Sequence, residues 1–217
     1  ALMLVWTQHE TNLDIVGPAC TAVKLICRDT PADIKQRAAD AGVLGGLVRL
    51  VRAHPESSGL MEHAFGALTN ILSNDSRASG DTYGLAGAAH AAGVAETTVA
   101  MLRTHLATAG LAQIEMCQVL VYLAEPAVRG SARLVAAGAI EACVQLLTTH
   151  AHLPILSFRA VEAIKHATNG TDMAGLERKR RACRVGVVEA VTLAMRTPMD
   201  MHRSMQLGRT AEVQDAH

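Results

Sequence analysis

Aromatic side chains are nearly missing from this chain. Only 2% of its 217 residues are Phe, Trp or Tyr, and there is a single tryptophan, Trp6. Yet 50% of the residues are apolar. Such a core must be built from Ala, Leu, Val and Met, most of which are good helix formers. The length is enough for a core of good size. Net charge is missing too, with 20 Lys and Arg against 20 Asp and Glu. Bulk electrostatics therefore give no pull toward nucleic acid or an anionic membrane. No apolar run approaches the ~18 residues of a membrane-spanning helix. No signal peptide shows at Ala1.

Cysteine usage is sparse and unpatterned. Cys20, Cys27, Cys117, Cys143 and Cys183 make an odd count and no CxxC. Cys20 and Cys27 stand two turns apart on one helix face, and Cys143 falls in an apolar stripe. They read as buried small hydrophobes in a reducing compartment. The expected setting is intracellular: the cytoplasm, or a cytoskeletal, ciliary or organellar assembly. Enzyme signatures are absent as well. There is no P-loop and no HExxH, and Gly42, Gly45 and Gly46 do not make a GxGxxG. No catalytic, cofactor-binding or metal-ligating residue is assigned. His150-x-His152 is a pair of the kind that chance supplies.

What is there is a repeat. AADAGVLGGLVRLVRAHP around Gly42 recurs as AHAAGVAETTVAMLRTHL at Gly93, LVAAGAIEACVQLLTTHA at Gly138 and ACRVGVVEAVTLAMRTPM at Gly186. The glycines lie 51, 45 and 48 residues apart (42 to 93, 93 to 138, 138 to 186). Twelve residues after them stand His54, His105, His150 and Pro198. A second register holds Asn70, Tyr122 and His166, in EHAFGALTNILS, IEMCQVLVYLAE and FRAVEAIKHATN. Val43, Leu47, Leu50 and Val51 share one helical face. Leu60, Ala64, Leu68, Ile71 and Leu72 do the same for the next helix. Neither helix can bury its stripe alone, so equivalent units must stack. The glycine before each helix allows a tight turn. Periods of ~40–47 residues with two or three helices point to armadillo or HEAT arrays.

AGVLGGLVRLV followed by GLMEHAFGALTNIL resembles an armadillo repeat, with the RAHP segment similar to divergent arrays of protists and algae. The resemblance covers nearly the whole chain. It implies an all-α, right-handed α-solenoid in one domain: a partial unit at 1–30, then repeats near 31–75, 76–127, 128–171 and 172–217. It implies also that the last helix of each repeat lines a concave groove. That face carries His63, Gly66 and Asn70, then Glu115, Gln118 and Tyr122, then Arg159, Glu162 and His166. Importin-alpha arrays repeat a tryptophan four residues before the asparagine; here Gly66, Gln118 and Glu162 hold those places. Nor does the groove have the strong positive charge that beta-catenin-like binding requires.

Taken in order, ALMLVWTQHETNLDIV reads as the tail of a unit whose start is absent, with Trp6 in the core. ALMLVW is not polar, as a cap would be, and is expected to be covered by a missing repeat, a partner or a neighbouring domain. Gly17-Pro18 is expected to begin a helix, and Asp29-Thr30-Pro31 to stop it before the short helix ADIKQRAAD. SNDSRASGDTYGLAGAAH, 73–90, reads as an inserted loop. Glu125-Pro126 is a stop. Asn74-Asp75-Ser76 and Asn169-Gly170-Thr171 read as helix-end turns. Arg178, Lys179, Arg180, Arg181 and Arg184 form a basic patch, read first as a solvated helix face and second as a nucleic-acid or import site. MHRSMQLGRTAEVQDAH suits a C-terminal cap. His54, His105 and His150 are expected to cap helix ends. Stacked units lie ~10 Å apart, too far for a shared metal.

The function expected is protein–protein interaction without catalysis, as a structural or adaptor component of a multi-subunit assembly. The other readings are a free adaptor holding an extended peptide in its groove, and a nucleic-acid-binding array.

Overall fold

The computed structural model describes residues 2–73, 83–125 and 129–197. These residues form helices and, among them, no strand. A first pair is α1 (Leu2–Gln8) and α2 (Leu13–Ile26). Three triplets follow: α3 (Ala32–Asp40), α4 (Val43–Ala53) and α5 (Ser58–Leu72); α6 (Tyr83–Ala91), α7 (Val94–Thr104) and α8 (Leu111–Leu123); α9 (Gly130–Ala137), α10 (Ala139–Thr149) and α11 (Pro154–Ala167). Last come α12 (Met173–Arg184) and α13 (Val187–Arg196).

The repeated glycine sits at the corner of each unit. Gly42, Gly93, Gly138 and Gly186 have φ of +81°, +78°, +88° and +86°. That left-handed residue is the N-cap of the helix that follows, and at Gly138 it also ends the helix before. The chain turns by 63° between α6 and α7, and by 63° between α9 and α10. Side chains cap other helices: Ser57 accepts from Leu60 N at 3.3 Å, and Asp172 from Gly175 N at 2.8 Å.

Two boundaries differ from the sequence reading. The helix expected from Gly17-Pro18 starts at Leu13, with Pro18 inside it. Asn12 is the reason, since its side chain accepts from Asp14 N at 3.0 Å and supplies the cap. Val16 is also buried, so the extra turn covers apolar surface. The stretch 73–90 is not all loop, because α6 occupies its second half. Leu85, Ala86 and Ala89 give that helix a buried stripe. Residues 74–82, 126–128 and 198–217 lie outside the described residues. With them go the readings at Asn74-Asp75-Ser76, Pro126, Pro198 and the C-terminal cap.

Tertiary packing is serial. Each helix touches the helix three places later along the chain. One row is α2, α5, α8 and α11; another is α1, α4, α7, α10 and α13; the short helices α3, α6, α9 and α12 make the third. Buried residues from every triplet join in one cluster, including Leu47, Phe65, Leu102, Met116, Leu120 and Leu146. Trp6 is fully buried, as expected, with Trp6 and Met3 lying over Gly46. A Cβ at Gly46 would meet the indole at 2.6 Å.

The recurring histidines do something the sequence reading had only half right. Each stands at the C-cap of its own helix, where its backbone N–H bonds back into the last turn, but its ring reaches out of the unit. His54 Nε2 lies 2.5 Å from Glu10 O, His105 Nε2 2.6 Å from Pro55 O, and His150 Nε2 2.8 Å from Leu106 O. Glu10 follows His9, Pro55 follows His54 and Leu106 follows His105. Each ring therefore reaches the carbonyl just past the corresponding histidine of the unit before it. The result is a ladder of hydrogen bonds between units. His90 adds another tie, with Nε2 2.9 Å from Leu123 O.

Four cysteines are buried as thiols, in line with the sequence reading, whereas Cys183 is exposed near the end of α12. Burial pushes the Cys20 thiol up to about 12. The hydrogen bond with Cys143, with burial adding to it, holds the Cys117 thiol well above its ordinary range.

Gly138→Val should lower stability by roughly 1–2 kcal/mol or more, the cost of a left-handed non-glycine residue. A Cβ there would also stand 2.7 Å from the Arg103 guanidinium. Chemical denaturation measures it; an unchanged midpoint would mean the corner tolerates a side chain.

His90 sets a pH dependence. Burial lowers its pKa below the usual 6.5, reinforced by Arg133 and opposed by the Leu123 carbonyl and Glu96. The folded state then prefers the neutral ring, and acid protonates the unfolded chain first. Stability is complete above about 6.5 and falls as pH drops toward the lower folded value. Urea unfolding of His90→Gln should show a shallower loss between neutral and mildly acid pH than the parent; an identical slope refutes it.

Candidate functional site

The row α2, α5, α8 and α11 presents one long face, and two cavities open along it. The larger, about 710 Å³, lies between the length of α2 and the first half of α5. Its walls include Leu13, Pro18, Thr21, Leu25, Gly59 and His63. The second, about 300 Å³, lies beside the C-terminal ends of α2 and α5, against α8 and Arg159 of α11. Asn70, Glu115, Gln118, Tyr122 and Arg159 all line it. Three units therefore bring five of the nine residues expected on the groove face to one concavity. His63 belongs to the larger cavity instead. Glu162 and His166 line neither.

These side chains are not equivalent in what they are held by. Asn70 Nδ2 donates to Lys24 O at 2.8 Å, so its amide closes the open end of α2. Gly66 does not wall the groove. It is buried, and the Lys24 stem lies over it: a Cβ would meet Cε at 2.8 Å. Lys24 is itself buried, and its stem needs that space. Arg159 Nη1 pairs with Glu162 Oε2 at 2.9 Å, with the guanidinium 5.6 Å from the Phe158 ring centre. The pair is partly exposed and contributes little stability. It does fix which way the arginine points. His166 accepts at its carbonyl from Ser131 Oγ at 3.0 Å.

The sequence reading missed Arg28, Asp29, Thr69 and Ser73, which complete the smaller cavity. No groove positions were drawn from 1–30, because that segment has no full repeat to align. The signal that could have found them is Asp29-Thr30-Pro31, read only as a stop. Asp29 has φ of +49°, a left-handed conformation that asparagine and aspartate adopt more readily than most residues. Thr69 Oγ1 is buried with no hydrogen-bond partner.

The basic patch is engaged from within. Arg178 donates to Asn169 O, and Lys179 Nζ to Gly170 O at 2.7 Å. Arg181 Nε pairs with Glu141 Oε1 of the preceding triplet at 2.8 Å. Arg184 and Arg180 share Glu177, at 2.8 and 3.6 Å. The Arg184 hydrogen bond leads in holding the exposed Glu177 carboxyl below its usual range, and Arg180 adds to it. The turn at Asn169-Gly170-Thr171 is made by Asn169 Oδ1, which accepts from Gly170 N at 2.9 Å. Among the described residues no three His, Cys, Asp or Glu side chains converge on a possible metal position. The rings of His150 and His152 are 6.2 Å apart and tilted. No single helix among the described residues is long and apolar enough to cross a membrane.

No family model matches this sequence, and no curated protein matches it. Among solved structures, the crystal structure of an engineered protein is similar, with a TM-score of 0.69. The match covers 87% of this chain and 69% of that one, at 23% identity. At that identity the likeness concerns the fold alone.

Asn70→Ala should cost about 1–3 kcal/mol, because it leaves the Lys24 carbonyl without its donor. Gln118→Ala in the same cavity should stay within about 0.5 kcal/mol. Equal melting shifts for the two would show that the Asn70 amide is not holding α2.

Proposed function

We propose that this chain is an armadillo-type, right-handed α-solenoid acting as a non-catalytic protein-interaction scaffold, a structural or adaptor subunit of a larger protein assembly. The observation that carries this reading is the convergence of Asn70, Glu115, Gln118, Tyr122 and Arg159, from three successive units, on one concavity. Repetition places side chains of different chemistry at one level of a rigid face. That suits recognition of an extended partner more than bond-making chemistry. The packing of every helix on the helix three places later supports the solenoid reading. The buried thiols agree with a reducing, intracellular setting, and cytoplasmic placement belongs to the same proposal.

A second reading, a free adaptor gripping an extended peptide, draws on the same two cavities. The structural-subunit reading is favoured because the face is polar and mixed in charge while large apolar side chains stand open elsewhere, such as Phe158 and Met195. A nucleic-acid reading loses its main support, since the basic run is paired with Glu177, Glu141 and backbone carbonyls.

Native size fractionation at low and high salt separates the first two readings. A subunit stays in a salt-resistant complex; an adaptor sheds its partner as salt rises. Glu115→Ala with Tyr122→Ala should then reduce retention of the co-migrating partner by about tenfold or more, with the melting temperature kept. Full retention in the folded variant would take the site away from this face.

A further inference from the structure

The turn that joins α11 to α12 holds the one Asn-Gly step of the sequence. Asn12, Asn70 and Asn74 are followed by Leu, Ile and Asp; Asn169 is followed by Gly170. Asn12 caps α2 through its side-chain oxygen, and the Asn70 amide nitrogen donates to Lys24 O. Asn169 is exposed, and no described residue accepts a hydrogen bond from its Nδ2. Its Oδ1 accepts from Gly170 N at 2.9 Å, so the side-chain amide lies against the main-chain nitrogen that follows it. Gly170 has φ of +126° and no side chain to block that approach.

Cations hold both carbonyls of this step. Arg178 donates through Nη2 to Asn169 O, and Lys179 Nζ to Gly170 O at 2.7 Å. The Arg178 Nε is buried without a partner, and Asn169 O is the one acceptor its guanidinium has among the described residues. The Asp172 carboxylate of the same turn has Oδ1 committed to Gly175 N at 2.8 Å. Asn169 O belongs to the peptide group whose nitrogen is Gly170 N. When that nitrogen loses its proton, the negative charge is shared with Asn169 O, where a guanidinium already stands. A charge-assisted hydrogen bond placed there favours the anion.

We infer that Asn169 is a site of spontaneous deamidation, promoted by Arg178. The Gly170 nitrogen gives its proton to solvent and attacks Asn169 Cγ, against which it is already held. The N–Cγ bond forms, the Cγ–Nδ2 bond breaks, and Nδ2 takes a proton from water and leaves as ammonia. The product is a succinimide ring. Water then opens the ring at one of its carbonyls. Opening at Cγ gives aspartate. Opening at the Asn169 main-chain carbonyl frees that carbon as a carboxylate and carries the chain on through Cγ, which is isoaspartate. Arg178 polarises this second carbonyl and pairs with the carboxylate formed on it, so isoaspartate is the favoured product. The joint between the third triplet and α12 then gains a backbone bond and a negative charge.

Peptide mapping by mass spectrometry, during incubation of the folded chain at mildly alkaline pH, tests this. A synthetic peptide of residues 165–174 is the reference, since it holds the Asn-Gly step without Arg178. Residue 169 should convert faster in the chain than in the peptide, with a larger share of isoaspartate. Arg178→Gln should slow conversion in the folded chain by about tenfold, the worth of one charge-assisted hydrogen bond. It should also lower the isoaspartate share, and in urea the variant and its parent should become alike. Arg178 is partly exposed, so the variant should fold, which its melting curve checks. The comparison of chain with peptide needs no variant and decides the matter even if that one does not fold. A folded parent slower than the peptide overturns the inference. So do equal rates for the folded parent and Arg178→Gln, or a difference between them that persists in urea.

Discussion

The left-handed glycine is the constraint on which the rest depends. A short helix ends at or just before it and the next begins from it, and the chain turns by 63° from α6 to α7 and from α9 to α10. The turn points the second helix across the stack and leaves its carboxyl end at the histidine. From there the chain doubles back into the long helix. If the corner is fixed, the spacing between equivalent helices is fixed, and three rows build up with the same neighbour relation throughout. The hydrogen-bond ladder follows from the same geometry. His54, His105 and His150 leave their helices at one height and meet the carbonyl that the unit before leaves open at that height. A main-chain carbonyl just past a helix end has no partner in its own helix, and the ring of the next unit supplies one.

This arrangement divides the labour between the helices. The second helix of each unit is spent on the core: Leu47, Leu50, Leu102 and Leu146 are fully buried. The long helix has a core side and an open side. Along the groove registers read from the sequence the residue type varies: Asn70, Tyr122 and His166 in one, Gln118 and Glu162 in another, where Gly66 is buried. Some of that variation is nevertheless structural. Asn70 and Gly66 both serve Lys24, one by closing the end of α2 and one by making room for the lysine stem. A residue read from the sequence as part of the groove face can thus serve the fold instead.

The hinge was legible in the sequence because the glycine recurs in near-regular register, and the helices because their stripes follow the 3.6-residue period. Pro18 was misread for a physical reason. A proline reads as a helix start, but the cap at Asn12 and the burial of Val16 outweigh its missing N–H. The helical half of 73–90 was hidden by small residues: Gly84, Gly87 and Ala88 give little periodic contrast, although Leu85 and Ala89 are buried. The recurrence of the histidines was visible, but the direction in which they reach was not. Periodicity gives the face on which a residue lies; it does not give the identity of an acceptor 44 or 50 residues away. Arg28 and Asp29 were missed for a related reason, since they lie in the turn after α2, the long helix with no complete repeat around it.

The charges show why the face and the ends must be considered separately. The most basic stretch of the chain, on α12, is neutralised locally by Glu177 and across the unit boundary by Glu141. Its long side chains tie one short helix to the preceding unit, so positive charge here works as a link in the stack. On α13, by contrast, Val188 and Met195 stand exposed. The open side of the long helices is not repeated from unit to unit, whereas the corner glycine and the rows that it sets recur throughout the described residues. Sequence variation therefore collects where packing leaves a side chain free, and the recurrent positions are the ones that hold the stack together.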